Sequence, residues 1–133
     1  MSGITELDEL LKSMEPELLE PEFVFCTVSG SLVDYASFNP VATFFEAEGL
    51  TLVLEKCEAQ NAGLQFEGSF RQITLTVYSS LEAVGLTASV SSKLSEKGIS
   101  ANVIAAYYHD HIFVQSSKAE MALSALKEFN VQN

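Results

Sequence analysis

The stretch Ser79–Thr87 has the composition of a small-molecule binding loop, because hydroxyl side chains and a glycine join a predicted strand to a predicted helix. Backbone N–H groups at the start of a helix lack partners within the helix, and together with the helix dipole they attract a carboxylate. Ser79, Ser80 and Thr87 supply hydroxyl groups, and Gly85 lets a ligand or a neighbouring backbone approach closely. A purely structural alternative is that the serines cap the helix and that Gly85 relieves a packing contact.

A ligand that carries an ammonium group, such as a free amino acid, also needs a hydrogen-bond acceptor. Glu82 in the loop, backbone carbonyl groups and Asn102 in the following strand are the candidates. A glutamate in a loop is more often simply solvated. The residues alone therefore leave the second contact of the ligand open.

His109-Asp110-His111 is the most conspicuous group of titratable residues. Two histidines on one side of a strand could bind a divalent ion, but the sequence contains no further histidine to complete the ligand set. We predict a tight hairpin turn in which Asp110 bonds its own backbone. We accordingly expect no metal site, no cofactor and no catalytic residue. A small enzyme that uses either histidine is the minor alternative.

Composition predicts a globular chain without a membrane span. The chain has 133 residues, of which 47% are apolar, and no apolar run reaches the length of a membrane-spanning helix. Its N-terminus is acidic and amphipathic, unlike a signal peptide, and its two cysteines, Cys26 and Cys57, suit the reducing cytoplasm. Cys26 lies in a predicted strand, where we expect a small buried hydrophobe.

Negative charge is concentrated in the first half of the sequence. The net charge of −11 arises from thirteen acidic residues and two lysines within residues 1–67, whereas the rest of the chain is neutral overall. So acidic a chain repels a phosphate backbone, which argues against nucleic-acid binding. We interpret the acidic half as a solvated surface that aids solubility.

The spacing of apolar residues, together with the positions of prolines and helix-capping residues, predicts a series of helices and strands. A first helix ends at Met14, an acidic connector with two prolines covers Glu15–Glu22, and the last helix begins at a capping box of Ser117 and Glu120. Six phenylalanines are expected to lie in the core: Phe23, Phe25, Phe44, Phe45, Phe66 and Phe70. The other predicted elements are strands Phe23–Val28, Val41–Glu46, Leu50–Glu55, Phe70–Tyr78, Ala101–Tyr108 and Ile112–Gln115, and helices over Cys57–Ala62 and residues 83–97.

Three of these predictions rest on specific patterns. Ala47-Glu48-Gly49 between two predicted strands suggests a β-hairpin. In Phe70–Tyr78 the aliphatic residues alternate with polar ones, so we expect a half-buried strand with its aliphatic side inward. In the helix that follows, the spacing of apolar residues places four of them on one face: Ala83, Leu86, Val90 and Leu94.

From Phe70 onward the predicted order is strand, helix, strand, strand, helix. This is the split βαβ arrangement of an α+β, ferredoxin-like fold, in which helices cover one face of an antiparallel sheet. Residues 1–66 read as a permuted or incomplete first half and residues 67–133 as the second half. Neither half has its full set of strands, so we predict either a sheet shared between the halves or a dimer.

The run LEAVGLTASVSSKLSEKGISANVIAAYYHDHIFV, followed by KAEMAL, resembles the ACT domain, a regulatory module that binds small molecules. EGLTLVLEK, which spans Glu48–Lys56, is similar to the first ACT-like half of such proteins. The resemblance covers most of residues 22–129. The chain is similar to small stand-alone bacterial proteins made of two ACT-like halves, to the regulatory halves of aspartate kinases and to arginine-sensor proteins.

The resemblance implies βαββαβ halves, a free amino acid as ligand, side-by-side pairing into a homodimer, and no catalysis by the ACT unit. It places the ligand at the strand-to-helix loop beside the following strand. The ligand-binding residues predicted on this basis are Ser79, Ser80, Glu82, Val84, Gly85, Leu86, Thr87, Asn102 and Ile104. An interaction protein that uses ACT-like pairing without a ligand is the alternative function.

Overall fold

The computed structural model describes residues 6–76 and 85–130. The helices and strands in chain order are α1 (Glu6–Ser13), β1 (Glu15–Val28), α2 (Leu32–Tyr35), β2 (Ala42–Glu46), β3 (Gly49–Glu55), α3 (Lys56–Ala62), β4 (Phe70–Thr76), α4 (Leu86–Glu96), β5 (Asn102–Ala105), β6 (Asp110–Gln115) and α5 (Ala119–Lys127). The chain packs as two compact units. The larger unit consists of Met1–Glu20 and Arg71–Asn133, and the smaller unit consists of Pro21–Phe70.

The larger unit is a layer of helices on one face of a sheet. Its strands lie in the order β1-β4-β6-β5, and β5 and β6 are antiparallel. Apolar side chains of α1, α4 and α5 pack on the inward side chains of β4 and β6, among them Ile73 and Ile112, both fully buried. The observed order β4-α4-β5-β6-α5 confirms the predicted ferredoxin-like α+β fold.

The smaller unit has strand order β2-β3-β1, with both strand pairs antiparallel. The predicted hairpin is confirmed, because Glu46 pairs with Gly49 across a two-residue turn. Its core holds Val24, Cys26, Leu50, Leu52, Leu54 and Ala59. Burial raises the pKa of the Cys26 thiol above its ordinary value, as expected for a small buried hydrophobe.

Two of the six phenylalanines predicted to lie in the core are exposed. Phe44 and Phe45 each retain 69% of their accessible surface. They lie on β2, which pairs only with β3 in the described strand order, so neither side chain has a second neighbouring strand to cover it. Aromatic content predicted a strand correctly here, but it did not reveal that the strand lies at an edge.

The prediction of a connector over Glu15–Glu22 is wrong, because β1 begins at Glu15. The residue before a proline is pushed toward extended backbone, which a strand accommodates as well as a linker does. Leu18 packs against the core of the larger unit and so gives this segment an inward side chain. The two prolines therefore interrupt the helix pattern without ending the strand.

The N-terminal segment packs with the second half of the sequence. Leu11 is 7% exposed and Met14 is fully buried in the core of the larger unit. Asn130 secures this packing, since its side-chain amide donates hydrogen bonds to the carbonyl groups of Lys12 (2.9 Å) and Met14 (2.7 Å). The division of the sequence into halves at residue 66 stays a prediction about sequence repeats. The packing units have other boundaries, because Met1–Glu20 belongs to the same unit as Arg71–Asn133.

Met14→Ala tests this packing. Removing a fully buried methionine side chain should lower the free energy of unfolding by about 2–5 kcal/mol, measured by urea denaturation. Met121→Ala is the matched control, because Met121 is 51% exposed, and it should change stability by less than about 0.5 kcal/mol. Equal small effects of the two substitutions would contradict the packing of the N-terminal segment into this core.

Candidate ligand-binding site

The start of α4 presents backbone donors without a side-chain cap. Gly85 is the residue before the helix, and its backbone is left-handed (φ 99°, ψ −20°). The first backbone hydrogen bond of the helix joins the Ser89 N–H to the Gly85 carbonyl at 2.9 Å. The N–H groups of residues 86–88 therefore have no acceptor within the helix. No side chain of the described residues caps this end. Such a helix start is suited to bind an anion.

The side chain of Leu7 on α1 lies against Gly85. A Cβ atom at position 85 would be 3.0 Å from Leu7 Cδ2, which is closer than ordinary van der Waals contact. The positive φ also disfavours any residue with a side chain. The structural alternative named above, that Gly85 relieves a packing contact, therefore has a specific partner in Leu7.

The described residues place five of the nine predicted ligand contacts in two groups. Gly85, Leu86 and Thr87 are contiguous at the start of α4. Of these, Thr87 is exposed, whereas the Leu86 side chain is 3% exposed and belongs to the core, which leaves only its backbone for a ligand. Ser79, Ser80, Glu82 and Val84 lie outside the described residues.

Asn102 and Ile104 form the second group, on β5. They share the face of the sheet that points away from the helices, because the intervening Val103 packs into the helix-covered core. The Asn102 side-chain amide donates to the Phe113 carbonyl at 3.1 Å, which leaves its oxygen as the acceptor for a further group. Ile104 pairs directly with His111.

A buried polar cluster on β4 and β6 was missed from the sequence. Gln72 Nε2 lies 3.0 Å from Thr74 Oγ1 and 3.1 Å from His111 Nδ1, and Thr74 Oγ1 lies 3.0 Å from the same ring nitrogen. Gln72 is 5% exposed and its Oε1 is buried without a partner among the described residues. The regular polar–apolar alternation of β4 predicted a solvent-facing polar side, and the sequence holds no signal that this side is covered.

The predicted turn at His109-Asp110-His111 is wrong in position. The turn of the hairpin lies at residues 106–109, where the Ala106 N–H donates to the His109 carbonyl at 3.1 Å. Asp110 and His111 belong to β6, and Tyr107 and Tyr108 occupy the exposed tip. The aromatic pair extended the predicted strand because tyrosine has high strand propensity, although these residues form the loop.

The environment of His111 favours its neutral form. Burial lowers the pKa of His111 most, the neighbouring His109 lowers it further, and Asp110 opposes both effects. A neutral ring with its proton on Nε2 accepts a hydrogen bond at Nδ1 from Gln72 or Thr74, whereas a protonated ring carries a donor at Nδ1 that faces the Gln72 amide donor. The cluster is thus organised around neutral His111.

Two ACT domain family models match the chain, one over residues 2–71 and one over residues 67–128. The chain belongs to the ACT domain family. The structure is similar to that of a Vibrio cholerae protein described as of unknown function and as a possible transport protein, with 62% identity, a TM-score of 0.90, and coverage of 98% of this chain and 100% of that one. A search among curated proteins finds no significant match.

More distant structures share the fold of this ACT protein. A protein from Agobacterium tumefaciens is 17% identical, with a TM-score of 0.73 and coverage of 88% of this chain and 89% of that one. The regulatory subunit of aspartate kinase from Thermus thermophilus, in a ligand-free form, is 9% identical, with a TM-score of 0.66 and coverage of 88% and 97%. At these identities the likeness concerns the fold alone.

The ACT protein has a second strand-to-helix loop, in the smaller unit, and its own side chains close it. The Asp34 carboxylate accepts from the Ser31 N–H at 3.1 Å, and the Asp34 N–H donates to the Ser31 carbonyl at 3.0 Å. The Tyr35 hydroxyl donates to the Ser29 carbonyl at 2.6 Å. The Asp34 carboxylate therefore occupies one backbone donor of this loop, the Ser31 N–H, whereas no side chain of the described residues caps the start of α4.

Within residues 6–76 and 85–130, no three histidine, cysteine, aspartate or glutamate side chains are grouped closely enough to hold a metal ion. Over the same described parts of the chain, none of the helices has the length and apolar character required to cross a bilayer.

The neutral state of His111 predicts a pH dependence of stability. A folded-state pKa below the unfolded value means that the unfolded chain binds more protons, so the free energy of unfolding should fall as pH drops below about 6.5. Urea denaturation between pH 7 and pH 5 measures this, and His111→Gln should remove part of the slope. His109→Gln is the control and should largely retain it. An NMR titration that gave His111 an ordinary or raised pKa would contradict a neutral His111 in this cluster.

Proposed function

We propose that this ACT protein is a non-catalytic regulatory module that binds a free amino acid at the strand-to-helix loop 79–87. The observation that carries the proposal is the start of α4 at Gly85, which no side chain of the described residues caps. The donors there suit the carboxylate that every free amino acid possesses. Family membership supports a regulatory role, since ACT domains are regulatory modules that commonly bind amino acids.

The contacts of the ligand involve the residues around the start of α4. The backbone N–H groups of Leu86 and Thr87 bind the carboxylate, and the exposed Thr87 hydroxyl adds a side-chain donor. Glu82 and backbone carbonyl groups are the acceptors for the ammonium group, and Ser79, Ser80 and Val84 complete the proposed contacts. The predicted contacts of Asn102 and Ile104 are not part of this site, because both residues lie on the face of the sheet that points away from α4.

The regulation is a linkage between ligand binding and the arrangement of ACT units in a cytoplasmic homodimer. A ligand that binds one arrangement better than another shifts the population toward it and changes the surface that a partner contacts. The chemistry of a catalyst is not needed for this role. Gln72 and Thr74 engage His111 in the polar cluster, which gives that histidine a structural role.

A second candidate function is assembly without a ligand. It is favoured by the exposure of Phe44 and Phe45 on the edge strand β2, because exposed apolar edges are typical of interaction surfaces. The two functions differ in whether any amino acid stabilises the protein.

Thermal unfolding in the presence of each of the twenty amino acids tests the proposal. A ligand at about 100 times its Kd adds about 2.7 kcal/mol, which should raise Tm by on the order of 10 °C for a chain of this size. Calorimetry then gives the affinity of any amino acid that stabilises. If no amino acid at millimolar concentration raises Tm, the assembly function is favoured instead.

Gly85→Ala locates the site, with Gly63→Ala as the matched control. Both glycines have positive φ next to a helix end, 99° and 72°, but an added Cβ meets Leu7 only at position 85 and meets nothing within 4 Å at position 63. Gly63→Ala should cost about 1–2 kcal/mol of stability because of its positive φ, and Gly85→Ala should cost more because its added Cβ also crowds Leu7. Only Gly85→Ala should also abolish the Tm increase produced by the ligand, and an undiminished increase in that variant would place the site elsewhere.

A further inference from the structure

The smaller unit carries an open groove that the proposed amino acid site does not use. The groove has a volume of about 740 Å³ and is lined by the end of β1 and by the segment between α3 and β4. Its walls are mainly aromatic and aliphatic: Phe25, Thr27, Leu64, Gln65, Phe66, Glu67 and Phe70. The rings of Phe25 and Phe70 meet edge to face, with centroids 5.2 Å apart and an interplanar angle of 73°. These rings form a fixed aromatic wall.

The strand register extends this groove across the sheet to β2. Thr27 lies opposite Thr51, and Thr51 lies opposite Phe44, so the three side chains share one face. Glu46 is two residues from Phe44 and points to the same face. We name this surface, defined by Phe25, Phe44, Glu46, Phe66, Glu67 and Phe70, the acidic aromatic face.

The acidic aromatic face combines apolar surface with negative charge. Phe44 is 69% exposed, whereas a core position would bury most of such a ring. The carboxylates of Glu46 and Glu67 flank the aromatic side chains, and the smaller unit as a whole has seven acidic residues and one lysine, a net charge of −6. Two such faces would repel each other, so a second copy of this chain is a poor occupant.

We propose that the acidic aromatic face docks a basic segment of a partner protein. Aliphatic or aromatic side chains of the segment fill the groove between Phe25, Phe66 and Phe70, and lysine or arginine side chains contact Glu46 and Glu67. Phe44 extends the apolar contact to the edge strand. The face lies wholly in the smaller unit, so it supplies a partner contact whether or not an amino acid binds at loop 79–87.

Calorimetry with the full chain and defined peptides tests the proposal. The probe is an acetylated and amidated octapeptide of alternating lysine and leucine, and the controls alternate glutamate with leucine or lysine with serine. We expect saturable binding of the lysine–leucine peptide, at least about tenfold tighter than either control, and weakened by salt. Failure of this peptide to bind, or equal binding of the lysine–serine peptide, would overturn the proposal.

Charge reversal at matched positions separates a local contact from overall attraction. Glu67→Lys lies on the face, and Glu96→Lys lies at the exposed end of α4 in the larger unit, so both raise the net charge by the same amount. Glu67→Lys and the apolar variant Phe44→Ala should each weaken the peptide about tenfold, and Glu96→Lys less than about twofold. Equal weakening by both reversals, or a dimer in sedimentation that Phe44→Ala dissociates, would overturn the proposal.

Discussion

In the larger unit, α1 and Met14 pack into the core and are hydrogen-bonded by Asn130, and this packing positions a side chain at the start of α4. Met14 is fully buried, and the Asn130 side chain donates hydrogen bonds to the carbonyl groups of Lys12 and Met14. These contacts hold α1 on the sheet and bring Leu7 to Gly85. Because Gly85 directly precedes α4, the position of the backbone donors proposed to bind a ligand depends on Leu7, which is distant in sequence. The site is thus a property of the packed unit, not of the loop alone.

The starts of α2 and α4 in this ACT protein differ in the side chains that accept from their backbone donors. In the smaller unit, the Asp34 carboxylate accepts from the Ser31 N–H. In the larger unit, the residue before α4 is a glycine, which has no side chain that could act as a cap. This difference is the reason why the proposed amino acid site lies at the start of α4.

Local signals predicted most of the fold. Polar–apolar alternation predicted β4, helical spacing of apolar residues predicted the buried face of α4, and Ala47-Glu48-Gly49 between two strand patterns predicted the β2–β3 hairpin. Features set by tertiary neighbours were not predictable from them: β1 starts at Glu15 because Leu18 has a core to pack into, Phe44 is exposed because β2 is an edge strand, and Gln72 is buried on a side that alternation assigned to solvent. For the site, the sequence indicated the glycine and the helix start, but not Leu7 or the cluster around His111.

We propose that the start of α4 binds the carboxylate of a free amino acid, and amide chemical shifts report directly on these donors. An ¹⁵N–¹H spectrum recorded during titration with the amino acid that stabilises the protein should show the largest amide changes at Leu86, Thr87 and Ala88, saturating at the calorimetric affinity. The same titration of Gly85→Ala should show none. Saturable changes confined to other residues, with these three amides unmoved, would contradict the account.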